Sequence, residues 1–205
     1  MKILIVDDHL AVREGVRCLF AAMPGTEIFD AASAQEALSV YRSKAPDVLL
    51  MDLNLPNSSG LELLSNVLIE DRLAKIVVFS VHVEPIYVSR TFIAGALGYV
   101  SKGASTKEII AAVQAVAAGG RYIEREIATQ MVLSPSGGAN PLEKLTAREI
   151  DIARLLAEGK TLGAIALVLG VSHKTVANAC SIIKSKLGAE RTFDLIRLLY
   201  QMEDR

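Results

Sequence analysis

The sequence predicts a doubly wound α/β domain built on a five-stranded parallel sheet, followed by an all-α domain of four helices. Three observations predict it. Over residues 1–118, five short apolar runs alternate with five helix-period segments, the pattern of a parallel sheet covered on both faces. The stretch "SPSGGANP" at 134–141 holds no large apolar residue and has the composition of a linker. From 142 to 205 only the 3.6-residue period recurs.

The strand-like runs are "KILIV" (2–6), "EIFDA" (27–31), "DVLLM" (47–51), "KIVVFS" (75–80) and "GYVS" (98–101). Helical patterns lie between and after them, near 11–23, 34–44, 60–70, 84–95 and 105–118. Ser33 and Ser105 precede two of these as N-caps. "AAGG" (117–120) ends the alternation, and "RYIEREIATQMVL" after it is a short amphipathic piece. In the last part, Thr146 and Glu149 form a T-x-x-E capping box that opens a helix running to about Glu158, stopped by Gly159. A second helix spans about 161–169 and ends at Gly170. A third starts at the cap Ser172 and ends at Gly188, and a fourth covers about 191–203. The expected division is a domain over 1–120, a linker with a short helix over 121–141 and a helical domain over 142–205.

The 205 residues are 51% hydrophobic, ample for two cores and too rich for a disordered chain. Residues 1–139 carry 12 Lys and Arg against 15 Asp and Glu, whereas residues 140–205 carry 10 against 8. That asymmetry suggests halves with different jobs, although a balance of +2 is a weak nucleic-acid footprint. Cys18 and Cys180 lie far apart without metal-ligand spacing and read as small buried hydrophobes in a reducing compartment. The N-terminus is not built as a signal peptide, and no run reaches membrane-spanning length. The expectation is a cytoplasmic protein without a membrane partner.

The strand ends carry the chemistry. The first strand ends in Asp7-Asp8, the third in Asp52 and the fourth in Ser80, and Lys102 follows the fifth. In a parallel sheet these ends open on one edge, where such folds place their functional crevice. Clustered carboxylates repel and raise one another's pKa unless a cation neutralises them. A hard divalent ion does so, and Mg²⁺ is the usual occupant. Such an ion also offsets the charge of an incoming phosphoryl group. Asp52 could then act as a nucleophile that forms an aspartyl phosphate. Ser80 could donate to a phosphate oxygen and Lys102 pair with its charge. Each residue taken singly is also what a turn favours; together, at those ends, they point to one site.

Four blocks, "LIVDDH", "LLMDLNLPNSSGLELL", "VVFSVH" and "GALGYVSKGAS", closely resemble the receiver domain of bacterial two-component response regulators. The resemblance implies a flavodoxin-like fold and phosphorylation of Asp52 by a sensor histidine kinase. It implies that Asp8, Asp52 and the Asn54 carbonyl bind Mg²⁺, with Asp7 acting through water. Ser80 and Lys102 would stabilise the phosphorylated state, and Tyr99 falls where the family has its rotating aromatic. Slow self-dephosphorylation is the only enzymatic activity expected. Two departures stand out: Gly103 replaces a frequent proline after Lys102, and Val81 is bulkier than the residue often found after Ser80. An aspartyl-phosphate phosphohydrolase would need a second Asp two residues after the nucleophile, where this chain has Asn54.

The C-terminal segment has a helix-turn-helix layout, with Gly170-Val171 at the turn. In its third helix Val176, Cys180, Ile183 and Leu187 recur on one face, and Lys174, Asn178, Ser181 and Ser185 point the other way. By periodicity alone this is either a major-groove helix or the solvated face of a docking domain. "LTARE", "LLAEGK", "IA..LG.S..TV" and "KLGA..R" are similar to the DNA-binding domain of the NarL/FixJ (LuxR-type) regulators. That likeness places Lys174, Thr175, Asn178, Ser181, Lys184 and Lys186 on or near the DNA-facing helix, with double-stranded promoter DNA as the partner. It makes the fourth helix, with Leu195, Leu198, Leu199 and Met202 on one stripe, a dimerisation helix, so that a homodimer forms on phosphorylation. The departures here are Ala177 and Ala179, where a Lys and a His are common, and Gly163-Ala164 in place of "KE". They keep open a phospho-switched protein-binding adaptor with weak or no DNA binding. His9, His82 and His173 have no metal-ligand spacing and read as surface or loop residues.

Overall fold

The computed structural model describes residues 1–55, 58–133 and 144–203. The chain divides into two compact units, Met1–Ser136 and Gly137–Arg205. In the first, β1 (Lys2–Val6), β2 (Glu27–Ala31), β3 (Val48–Met51), β6 (Ile76–Ser80) and β7 (Gly98–Ser101) form a parallel sheet in the order β2-β1-β3-β6-β7. The order reverses between β1 and β3, the switch point beyond which such sheets bind ligands. β3 is buried along its whole length between β1 and β6, which explains its unbroken "VLLM".

The helices α1 (Leu10–Ala21), α2 (Ala34–Lys44), α3 (Gly60–Glu70), α4 (Pro85–Ile93) and α5 (Thr106–Ala117) alternate with these strands. Successive strand residues face opposite sides. Ile3, Ile5, Leu50, Val77 and Phe79 join one buried cluster with Val16 and Phe20 of α1 and Val113 and Val116 of α5. Ser33 and Ser105 cap α2 and α5 by accepting from the backbone N–H groups of Glu36 and Glu108.

Two features go beyond the expected five strands. Asn54–Leu55 (β4) and Ser58–Ser59 (β5) make a small antiparallel pair after β3. Tyr122–Ile123 (β8) adds a sixth strand parallel to β7, and Arg125–Leu133 (α6) follows it. Two residues are too short for an alternating pattern, so pairing rather than periodicity defines β8. Tyr122 N–H donates to Leu97 O and Glu124 N–H to Tyr99 O. The linker expected at 134–141 lies outside the described residues.

The second unit holds α7 (Ala147–Ala157), α8 (Leu162–Val168), α9 (His173–Leu187) and α10 (Thr192–Glu203), within a residue or two of the expected bounds. Thr146 and Glu149 form the reciprocal capping box at the start of α7. Gly170, at φ +64°, makes the turn between α8 and α9 in a conformation that L side chains rarely adopt. Among the described residues no single helix is long and apolar enough to cross a membrane.

Candidate functional site: a carboxylate cluster and a recognition helix

Asp52 follows β3 directly and is 2% exposed. Its N–H donates to Val6 O, which fixes it beside the end of β1. Its Oδ1 accepts from Leu53 N–H at 2.6 Å, and its Oδ2 accepts from Lys102 Nζ at 2.6 Å. The turn after it is tight. Gly60 N–H donates to Leu53 O, and a Cβ on Gly60 would lie 2.4 Å from Asp52 O. The sequence therefore seats the carboxylate from both sides, by an apolar strand before it and a glycine packed on its backbone.

Asp7, buried, lies at the end of β1, and its Oδ2 is 2.7 Å from Lys102 Nζ. That oxygen is sealed from solvent without an aligned hydrogen bond, so the contact is electrostatic. Asp8 is exposed, and His9 Nδ1 lies 2.7 Å from Asp8 Oδ1 and 3.2 Å from Asp7 Oδ1. Asp7, Asp8 and His9 bring their ligand atoms within 4.8 Å of one another. Burial works against the Lys102 charge, but the carboxylates of Asp52 and Asp7 outweigh it and hold its pKa above the ordinary lysine value. The Lys102–Gly103 peptide is trans.

Ser80 ends β6 fully buried, with its Oγ 3.4 Å from His82 N–H. Its carbonyl accepts from Lys102 N–H, which ties the ends of β6 and β7 together. Val81 beside it is exposed. Tyr99 is fully buried and donates its hydroxyl to His82 O at 2.6 Å. Burial first, and then the charges of Glu84 and Asp52, push its phenol pKa up.

Residue types did not flag two neighbours. His82 is not a loose loop histidine: it is buried, stacks on Tyr87 at 4.2 Å between ring centroids, and has its Nε2 3.1 Å from Asn54 Nδ2 and 3.4 Å from Asn54 Oδ1. Glu124 is 5% exposed, and its Oε2 accepts from Ser101 N–H at 2.6 Å, next to Lys102. A Glu just ahead of an amphipathic helix was its only signal in the sequence.

In the second unit, Val176, Cys180 and Ile183 of α9 are buried and Leu187 is half-buried. Lys174, Thr175, Asn178, Ser181 and Ser185 are exposed and Lys184 is partly exposed, as the periodicity predicts. Ser172 Oγ accepts from Thr175 N–H at 3.1 Å and meets the Thr175 hydroxyl at 2.8 Å, so Thr175 is partly committed to the cap. Lys186 differs from its neighbours because its ammonium is paired with Glu149. Two residues of the expected dimerisation stripe are already covered by the unit itself. Leu195 and Leu199 are buried within the unit, where α10 packs on α7 and α9, and so build its core. Leu198 is half-buried, and the Met202 side chain lies outside the described residues.

Residues 3–114 match the response regulator receiver domain family, and residues 143–199 match the bacterial regulatory proteins, luxR family. The chain is 37% identical to the transcriptional activator protein ExaE of Pseudomonas putida over 203 residues, covering 97% of this chain and 95% of that one. It is 34% identical to the response regulator UvrY of Escherichia coli K12, covering 97% and 93%.

The chain belongs to the NarL/FixJ (LuxR-type) response regulators.

A solved LuxR-family two-component response regulator from Aurantimonas sp. SI85-9A1 is 38% identical, with a TM-score of 0.62 over 64% of this chain and 94% of that one. As a member of this family the chain is a transcriptional response regulator: an α/β receiver domain followed by a helix-turn-helix DNA-binding domain.

Proposed function

We propose that Asp52 is the phosphoacceptor of this response regulator, and that a phosphoryl group on it controls promoter binding by the α9 face in a cytoplasmic, kinase-driven circuit. The observation that carries this reading is the Asp52 carboxylate itself, buried at the switch point and held by Leu53 N–H and Lys102 Nζ. In the transfer, an Asp52 carboxylate oxygen bonds to phosphorus as the phosphohistidine nitrogen–phosphorus bond breaks and the imidazole leaves. Lys102, paired with Asp52 Oδ2, stands beside the attacking carboxylate and would pair with the charge of the incoming phosphoryl oxygens. Ser80 and Tyr99 are the switch residues: Ser80 turns to the phosphate, and Tyr99 gives up its bond to His82 O.

Asp7 and Asp52 meet one ammonium, and Asp8 adds a third carboxylate beside Asp7, so the site keeps negative charge that a divalent cation would offset. The oxygen-rich donor set suits Mg²⁺, which would be held by Asp8, Asp52 and the Asn54 carbonyl, with Asp7 acting through water. When bound, the ion supplies charge neutralisation for the incoming phosphoryl group. The domain division proposed with this reading is 1–120, 121–141 and 142–205, and self-dephosphorylation is its only turnover.

The test is labelling by a small phosphodonor with Mg²⁺. The parent chain is expected to form an acid-labile acyl phosphate that Asp52→Asn does not form, and chelation of the metal abolishes labelling. Undiminished labelling of Asp52→Asn sinks the assignment.

A further inference from the structure

Lys186 lies in the last turn of α9, 37 residues from its partner in sequence. Its Nζ donates to Glu149 Oε1 at 2.9 Å and to Oε2 at 2.6 Å. That carboxylate also closes the capping box of α7, with Oε2 accepting from Thr146 N–H at 2.6 Å. Glu149 is 8% exposed. One buried anion therefore holds the first turn of α7 and the last turn of α9 together. At its other end α9 is fixed by the Ser172 cap and the Gly170 turn from α8.

We infer that Lys186 is a positioning residue: through Glu149 it sets the angle at which α9 presents Lys174, Asn178 and Ser181 to DNA, and it does not itself bind a phosphate. Two physical arguments support the assignment over a DNA contact. Pulling Lys186 away would leave a buried carboxylate short of its counter-charge, which costs more than an exposed ion pair returns. Recognition helices also read bases from their N-terminal part, and Lys186 lies 12 residues beyond Lys174, about 18 Å along the helix axis.

The inference is tested with the full chain binding an arbitrary duplex of about 30 bp, measured by fluorescence anisotropy across a series of salt concentrations. A phosphate-binding lysine contributes about 0.9 to the slope of log affinity against log salt. Lys174→Gln is expected to lower that slope by about this amount. Lys186→Gln is expected to weaken binding several-fold at every salt concentration with the slope unchanged. Glu149→Gln keeps a side chain suited to the capping box but loses the charge, and is expected to do the same. Lys186→Arg restores the parental affinity. A slope loss in Lys186→Gln equal to that of Lys174→Gln overturns the inference. So does tighter binding with a steeper slope in Glu149→Gln, the result expected if the freed lysine served DNA. Should Lys186→Gln fail to fold by circular dichroism, the Glu149→Gln and Lys186→Arg results decide. A parent chain that binds no duplex, its own promoter DNA included, removes the DNA-facing role of α9, a failure separate from loss confined to the Glu149 and Lys186 variants.

Discussion

At the residue scale, the tightest constraint on the proposed phosphoacceptor comes from Gly60. A methyl group there would meet Asp52 O at 2.4 Å and Leu53 Cα at 2.5 Å, both backbone atoms that cannot swing aside. Gly60→Ala must therefore displace the turn that seats Asp52. The expected cost is about 1–3 kcal/mol, typical of overpacking, read as a lower urea midpoint, with slower labelling by phosphodonor. Parental stability and labelling in this variant would show that the turn tolerates the shift. Asp7, Asp52, Ser80 and Lys102 were legible in the sequence because each sits at or just beyond a strand end, where topology alone fixes the neighbours. His82 was not. Its burial depends on where Tyr87 of α4 comes to lie, and no local spacing encodes that.

At the element scale, legibility tracks length and caps. The helices from α7 to α10 are bounded by Thr146, Ser172, Gly159, Gly170 and Gly188, residues with strong local preferences, and their limits were readable. β8 was missed because a two-residue strand has no period; it exists through pairing with β7 and the Glu124–Ser101 bond. The α10 stripe was legible only in part for a related reason. An apolar face marks a buried surface without saying whether the chain or a second copy buries it, and α7 and α9 cover Leu195 and Leu199. The Glu149 clamp has a pH signature. Burial alone would raise its pKa, but Lys186 and the Thr146 backbone outweigh that and hold it below the ordinary glutamate value. A depressed carboxylate contributes stability that is full above its unfolded pKa of about 4.3 and is lost as pH falls through its folded value. Between about pH 5 and pH 3, the urea midpoint of the C-terminal unit should therefore fall further in the parent chain than in Glu149→Gln. Parallel declines would show that Glu149 carries no such linkage.

At the scale of the whole molecule, charge separates the two jobs. Acidic residues outnumber basic ones over 1–139 and the reverse holds over 140–205, yet the formal net charge is only −1. A cationic surface this thin gives weak non-specific attraction to DNA, and Ala177 and Ala179 thin the α9 face further. Basal affinity is then low, which leaves room for a switch to act on occupancy. Phosphorylation adds about −1.5 to −2 of charge at Asp52, in an acidic first unit, so it cannot raise DNA affinity by direct attraction. Any gain must come from a change of conformation or assembly that the phosphate favours. The expected outcome is that phosphodonor with Mg²⁺ raises affinity for the protein's own promoter DNA without steepening the salt dependence per protomer. Asp52→Asn should not respond, and chelating the metal before donor is added should hold the parent at its basal level. Footprinting across a salt series measures both quantities. A gain that persists in Asp52→Asn would place the control outside the carboxylate cluster, and the absence of any gain would leave the receiver domain acting on a partner other than DNA.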